Sequence, residues 1–291
     1  EIKRLLLEGK SLTEVTYIVR PYFPDKTELQ VKEKVRNVRR AMQKSEQVHP
    51  IGVFSDPHCP FHHKGYLRFL VDTFKQFKVG RVVCTGDLVD FHALSRYEKE
   101  TNAMSAYDEF DAAYEAVREF IEAFPEVDYI PGNHCERYIR QAKSVGIDRR
   151  FLKSYSELFG LPKGWVVHED ELIIDGVLYI HGINWAGKDG ALNAAIGNRM
   201  STVMGHNHCY AGVKYHANSR DLIFGMNVGC GINVDAYAFA FGKHAKEKPV
   251  LGCGIVYDSH TALFIPMGEK YMKLAPLFGS WEEVSIGKEA V

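Results

Sequence analysis

Five short apolar runs in this chain each deliver a cluster of carboxylate, imidazole or amide side chains at the C-terminal end. "HPIGVFS" leads into Asp56 and His58, "GRVVCT" into "GDLVD" with Asp87 and Asp90, and "VDYIP" into "GNHCER" with Asn133 and His134. "VLYIH" delivers His181, and "TVMG" opens onto His206 and His208. Short apolar runs bounded by Gly, Pro and Asp read as buried strands. Between the first three lie helical patterns, over residues 65–77 and along Tyr107, Phe110, Tyr114, Val117 and Ile121. Strands alternating with helices define an α/β protein, and in such folds reactive groups collect at the carboxyl ends of strands. In "GHNH" the two imidazoles share one side of an extended segment, just after a glycine that lets the chain turn sharply. After Gly164 the pattern becomes strand-rich, through "WVVH", "ELIID", "DLIFGMNV", "VLGCGIVYD" and "ALFIPM".

Residues 1–47 differ from the rest, which divides the chain into an N-terminal helical unit (1–47) and a main domain (48–291). "EIKRLLLEG" ends at a glycine suited to a helix terminus, and Ser11 with Glu14 fits a capping box. Val31, Val35, Val38 and Met42 form a helical stripe, with Lys32, Lys34, Arg36, Arg39, Arg40 and Lys44 on the other faces. The first 50 residues hold 11 Lys/Arg against 7 Asp/Glu, a net +4 in a chain of net −1 overall. Two readings stand: a helix-turn-helix module for nucleic acid, or a solvated helix packed on the main domain or a partner.

Nothing approaches the roughly 20-residue apolar stretch that spans a bilayer, and the first residues are too charged for a secretory signal, so the expectation is a soluble cytoplasmic protein without membrane partners. The six cysteines lack a C-x-x-C pair and read as free thiols. Cys59, Cys135 and Cys209 each follow a motif histidine, where small packing residues are favoured.

The ordered series D-x-H, G-D-x-x-D, G-N-H, H-G and G-H-x-H, over roughly residues 48–266, closely resembles the calcineurin-like metallophosphoesterase superfamily. "SDPHCPFHH" and "NVGCGINVDAYAFAFGKH" look most like its phage and prokaryotic members. The resemblance implies a four-layer α/β/β/α sandwich of two mixed sheets flanked by helices. It also implies a dinuclear site, with Asp56, His58 and His208 on one metal, Asn133, His181 and His206 on the other, and Asp87 bridging them. Such a donor set suits two divalent ions, Mn²⁺ first, with Fe²⁺, Zn²⁺ or Ni²⁺ as alternatives. Two such ions can activate one bridging water and clamp the phosphoryl oxygens. His134 is then the general acid, with Asp90 orienting its ring and raising its pKa.

The expected activity is phosphoester hydrolysis, directed at phosphodiesters of nucleic acid or nucleotides. The alternatives are a phosphomonoesterase or nucleotidase, and a metal-binding scaffold without turnover. His92, where the superfamily's phosphoprotein phosphatases carry arginine, argues against a phosphoprotein substrate. Arg137 is a candidate phosphate contact, with packing against an acidic neighbour as the competing reading. His62 and His63 are candidate substrate contacts or supports behind the metals. Tyr237, Phe239, Phe241 and His244 read as a stacking lid, as core, or as a contact between copies in a homo-oligomer.

Overall fold

The computed structural model describes residues 1–46, 49–96, 100–101, 103–236, 238–239 and 245–272. The chain divides into two compact units, Glu1–Val48 and His49–Val291.

The first unit holds α1 (Ile2–Leu7), α2 (Leu12–Val19) and α3 (Glu28–Glu46). The capping box forms as spelled: the Glu14 amide donates to Ser11 Oγ at 3.2 Å and the Ser11 amide to Glu14 Oε2 at 2.8 Å. Thr27 and Gln30 repeat the exchange at the start of α3, at 3.3 and 2.9 Å. Each exchange satisfies amides that a helix start would otherwise leave unpaired. Leu5, Val15, Val19, Val31 and Val35 close a small core. On α3, Arg36 pairs with Glu33, and Lys34 Nζ lies 4.7 Å from the centre of the Phe23 ring. The side chains of Arg39, Arg40, Met42 and Lys44 lie outside the described ones.

The second unit is built on two mixed sheets. Four parallel strands, β1 (Ile51–Phe54), β2 (Arg81–Cys84), β3 (Val127–Tyr129) and β4 (Trp165–Val167), are extended past β1 by the antiparallel β10 (Gly252–Val256) and β11 (Ala262–Pro266). The other sheet runs β5 (Glu171–Ile174), β6 (Val177–Ile180), β7 (Ser201–Met204), β9 (Leu222–Asn227) and β8 (Gly212–Ala217), with β6, β7 and β9 parallel.

The two-residue period of β1 separates the layers. Ile51 and Val53 join Tyr179, Val203, Phe224 and Met226 of the other sheet in one apolar cluster. Phe54 instead packs among Leu70 and Phe74 of α4 (Tyr66–Gln76) and Val117 and Phe120 of α5 (Ala106–Ala123). One face of the strand therefore meets the second sheet and the other meets helices. A Cβ at Gly52 would lie 2.9 Å from the Phe74 ring, so only glycine lets α4 approach this closely. The far side of the second sheet is covered by α8 (Gly190–Asn198), which packs on β7, β8 and β9. The layers are helix, sheet, sheet, helix, the sandwich that the motif order implied.

Strand β8 was not among the strands expected from the sequence, although "VKYHA" alternates apolar and polar residues; it is largely exposed at the sheet edge and pairs antiparallel with β9. No helix among the described residues is long and apolar enough to cross a membrane.

Candidate metal centre

The parallel strands deliver their C-terminal loops to one edge of the sandwich. Asp56 and His58 follow β1, Asp87 and Asp90 follow β2, and Asn133 and His134 follow β3; His181 follows β6, and His206 and His208 follow β7. Asp56 (φ 53°), His58 (φ 54°), Asp87 (φ 43°) and His206 (φ 64°) all lie in the left-handed region. For residues with a Cβ this costs on the order of 1–3 kcal/mol each, and such strain persists where the surroundings impose it for function. Gly205 is sterically required, because a Cβ there would collide with Ser55 Oγ and the Asp56 carboxylate.

Three groups of donors converge: Asp56, His58 and His208; His58, Asp87 and His134; Asp87, His181 and His206; within each, donor atoms lie within 4.8 Å of one another. Asp56 and Asp87 each have one carboxylate oxygen anchored by the backbone. The His206 amide donates to Asp56 Oδ2 at 2.9 Å, and the His134 amide to Asp87 Oδ1 at 2.7 Å. The free oxygens face imidazoles, with Asp56 Oδ1 3.1 Å from His208 Nε2 and Asp87 Oδ2 3.1 Å from His181 Nε2 and 3.9 Å from His58 Nε2. Asn133 Oδ1 also lies 3.1 Å from His181 Nε2.

The imidazoles are oriented from behind. His181 Nδ1 donates to the Thr85 carbonyl at 2.8 Å, and His58 Nδ1 lies 2.8 Å from Asp90 Oδ2. Fixing Nδ1 this way turns the Nε2 lone pair towards the centre, the usual support of a metal-ligating histidine. His58 Nε2 and His208 Nε2 then face each other at 3.2 Å. Two nitrogen lone pairs repel at that distance unless a proton or a cation is shared.

Asp56 and Asp87 are 0% and 1% exposed, and among the described residues neither pairs with a lysine or arginine. Burying such charges is expensive unless a cation compensates them, so this oxygen-and-nitrogen donor set fits divalent ions. Without an ion the imidazoles serve as counter-charges. Burial alone would raise the Asp56 carboxyl, yet hydrogen bonds to His208 and His58 hold it well below the usual range, and Asp87 is lowered by His181 and His134 against its own burial. Burial would likewise lower His58 and His181, but the aspartates push them up to about 10 and about 9.

These shifts fix the pH response of chelator-treated protein. The depressed carboxylates contribute stability above about pH 4 that is lost as pH falls. The raised imidazoles contribute stability in full below about pH 6.5, lost as pH rises through their folded values. Divalent ions instead require neutral imidazoles, so metal-loaded protein gains on rising pH. Thermal melts with and without chelator should therefore differ more at pH 9 than at pH 6; a gap that narrows with pH would sink the imidazoles as ligands.

Asp90 departs from expectation. Its Oδ2 is 2.8 Å from His58 Nδ1 but 3.5 Å from His134 Nδ1, and its Oδ1 accepts from Arg137 Nη1 at 2.7 Å. His134 is not raised; burial is the largest influence and lowers its pKa, with a smaller push down from His58, against the raising effect of Asp87 and Asp90. Arg137 reaches into the centre, with Nη2 3.1 Å from His134 Nε2.

His62 and His63 fall outside all three donor groups. His62 is half-buried, with its ring edge-on to Phe120 at 5.7 Å, and desolvation pushes its pKa down to about 4. His63 is half-buried, and its Nδ1 accepts from the Gly65 amide at 3.1 Å. Cys59 and Cys135 are buried, and Cys135 Sγ lies 2.8 Å from the Tyr129 hydroxyl, a packing role. Phe239 stacks edge-on to His58 at 5.6 Å; Tyr237, Phe241 and His244 lie outside the described residues.

Two arginines escaped sequence reasoning. Arg96 and Arg140 line a cavity of about 510 Å³ that also touches Asn133 and His134. The spacing of Arg137 and Arg140, three apart in α6 (Arg137–Ser144), places both on one helix face and was the available signal. Glu109 was also missed; its carboxylate accepts the amides of His92 and Ala93 at 2.5 and 2.6 Å, bracing the loop that follows Asp90.

A two-sheet sandwich with buried carboxylates and imidazoles at its strand ends defines an α/β protein with a divalent-metal site. The sequence profile described as calcineurin-like phosphoesterase matches residues 49–237, well over half of the chain. The chain belongs to that family, and is a metal-dependent hydrolase acting on phosphoester bonds. Among solved structures, a metallophosphoesterase from Sphaerobacter thermophilus is 15% identical, with a TM-score of 0.39, covering 76% of this chain and 88% of that one. Yfce, a phosphoesterase from E. coli, is 13% identical with a TM-score of 0.35, covering 75% and 98%. Vacuolar Protein Sorting 29 from Cryptosporidium parvum is 13% identical with a TM-score of 0.36, covering 71% and 83%. No curated protein matches the chain.

Proposed function

We propose that the protein is a dinuclear phosphodiesterase acting on nucleic acid or nucleotides. One cation would be held by Asp56, His58 and His208 and the other by Asn133, His181 and His206, with Asp87 between them. The observation that carries this is Asp87 Oδ2, which stands 3.1 Å from a histidine of the second set and 3.9 Å from one of the first. When bound, such a pair of ions supplies charge stabilisation at the phosphoryl oxygens and a water of lowered pKa.

The chain's own residues do the rest. Buried Asp90 holds the His58 ring through Nδ1 and keeps Arg137 against the centre. His134 Nε2 accepts from Arg137; released from that contact it takes a proton from solvent and hands it to the leaving oxygen. Arg137 Nη2 sits at that nitrogen, so an arriving ester oxygen displaces it and acquires a guanidinium neighbour. Support for a diester comes from the +4 N-terminal unit, read as a nucleic-acid module over residues 1–47.

The test loads metal-stripped protein with Mn²⁺ and compares bis-p-nitrophenyl phosphate with p-nitrophenyl phosphate. Faster diester cleavage is expected. Faster monoester cleavage would replace this reading with a phosphomonoesterase or nucleotidase, and no turnover of either would favour a metal-binding scaffold.

A further inference from the structure

Beside the donor groups lies the cavity of about 510 Å³ walled by Arg96, Arg137, Arg140, Gln141, Asn133 and His134. Its volume is that of a small-molecule site rather than a packing defect. Three guanidinium groups enter the wall, and no carboxylate does among the described residues. Asp90 lies behind and neutralises only Arg137, through the 2.7 Å contact. Arg140 donates to the Asn133 carbonyl, which fixes its direction without cancelling its charge. Arg96 is exposed and forms no ion pair among the described residues. Gln141 Nε2 donates to the Leu94 carbonyl at 2.8 Å, tying α6 to the loop that carries Arg96. Two uncompensated positive charges thus face one polar cavity that opens on the metal centre, and forked guanidinium donors match phosphate oxygens.

We propose that this cavity binds a second phosphate group of the substrate, one carried by the leaving group. The assignment of side rests on the phosphodiesterase reading, because His134, which would protonate the leaving oxygen, forms the shared wall. The departing fragment then moves towards Arg96 and Arg140, and the substrate carries a phosphate next to the scissile one on the leaving side, as in a nucleic-acid strand.

The test measures binding of thymidine 3′,5′-bisphosphate and of the two thymidine monophosphates to the Mn²⁺-loaded full chain at fixed ionic strength. The bisphosphate is expected to bind more than tenfold tighter than either monophosphate. Arg96→Gln and Arg140→Gln should each cost it about 10- to 100-fold, the effect of losing one hydrogen bond to a charged group. Arg118→Gln, an equal loss of charge on α5, should cost nothing. A wild-type protein that binds all three alike, or a bisphosphate preference that survives both arginine variants, overturns the proposal. Absent diester turnover with an intact, arginine-dependent preference would instead sink the phosphodiesterase reading and leave the cavity assignment standing.

Discussion

Asp87→Asn should lower kcat/KM for a phosphodiester about 10³-fold or more, the rate equivalent of roughly 4 kcal/mol of lost charge stabilisation. The substitution is nearly isosteric, and its amide oxygen can still accept the His134 amide hydrogen bond that Oδ1 accepts at 2.7 Å. What it removes is the charge on Oδ2, the atom placed between His181 and His58. The variant should therefore fold but bind divalent ions poorly. Saturating Mn²⁺ at about 100 times its Kd stabilises a protein by about 2.7 kcal/mol, and most of that gain should vanish in the variant. Retained turnover within about tenfold, together with a full Mn²⁺-induced shift in Tm, would remove Asp87 from the centre; at that size of loss the missing stabilisation would be only about 1.4 kcal/mol.

The donor set was legible because each motif follows its own apolar run, and strand ends are where an α/β sandwich gathers chemistry. Asp56, His58, Asp87, His181, His206 and His208 could be read one strand at a time, and the fold gathered them into groups of three whose donor atoms lie within 4.8 Å of one another. What the sequence hid was which neighbour each residue prefers. The resemblance implied that Asp90 orients His134, yet the tight turn at His58 puts that ring closer to Asp90. His62 sits in the same "PFHH" loop as the ligands, but its backbone bridges Ile232 and its side chain goes to Phe120. The Arg96 and Arg140 cavity joins two segments through Gln141, a contact that no local pattern announces. Edge strand β8 was legible in the alternation of "VKYHA" but was passed over, a short run with most of its residues exposed.

His134→Ala should cost about 10²–10⁴-fold in kcat on a dinucleoside phosphate, the range for losing a general acid, and much less on bis-p-nitrophenyl phosphate. A nitrophenolate departs without a proton, whereas an alkoxide does not, so the ratio between substrates isolates proton transfer from every other defect. Metal loss is the rival explanation, because His134 also lies 4.0 Å from Asp87 Oδ2. Asp90→Asn supplies the contrast. It weakens the support of the His58 ring, so it should raise the Mn²⁺ concentration needed for half-maximal activity by about 10- to 100-fold. That loss should fall on both substrates alike and be recovered by excess Mn²⁺. If His134→Ala behaves the same way, equal on both leaving groups and rescued by metal, then the histidine is a support for the centre and the proton comes from elsewhere. If its defect tracks the leaving group and ignores added Mn²⁺, the acid is His134, and the short contact between Arg137 and Nε2 marks where the leaving oxygen binds.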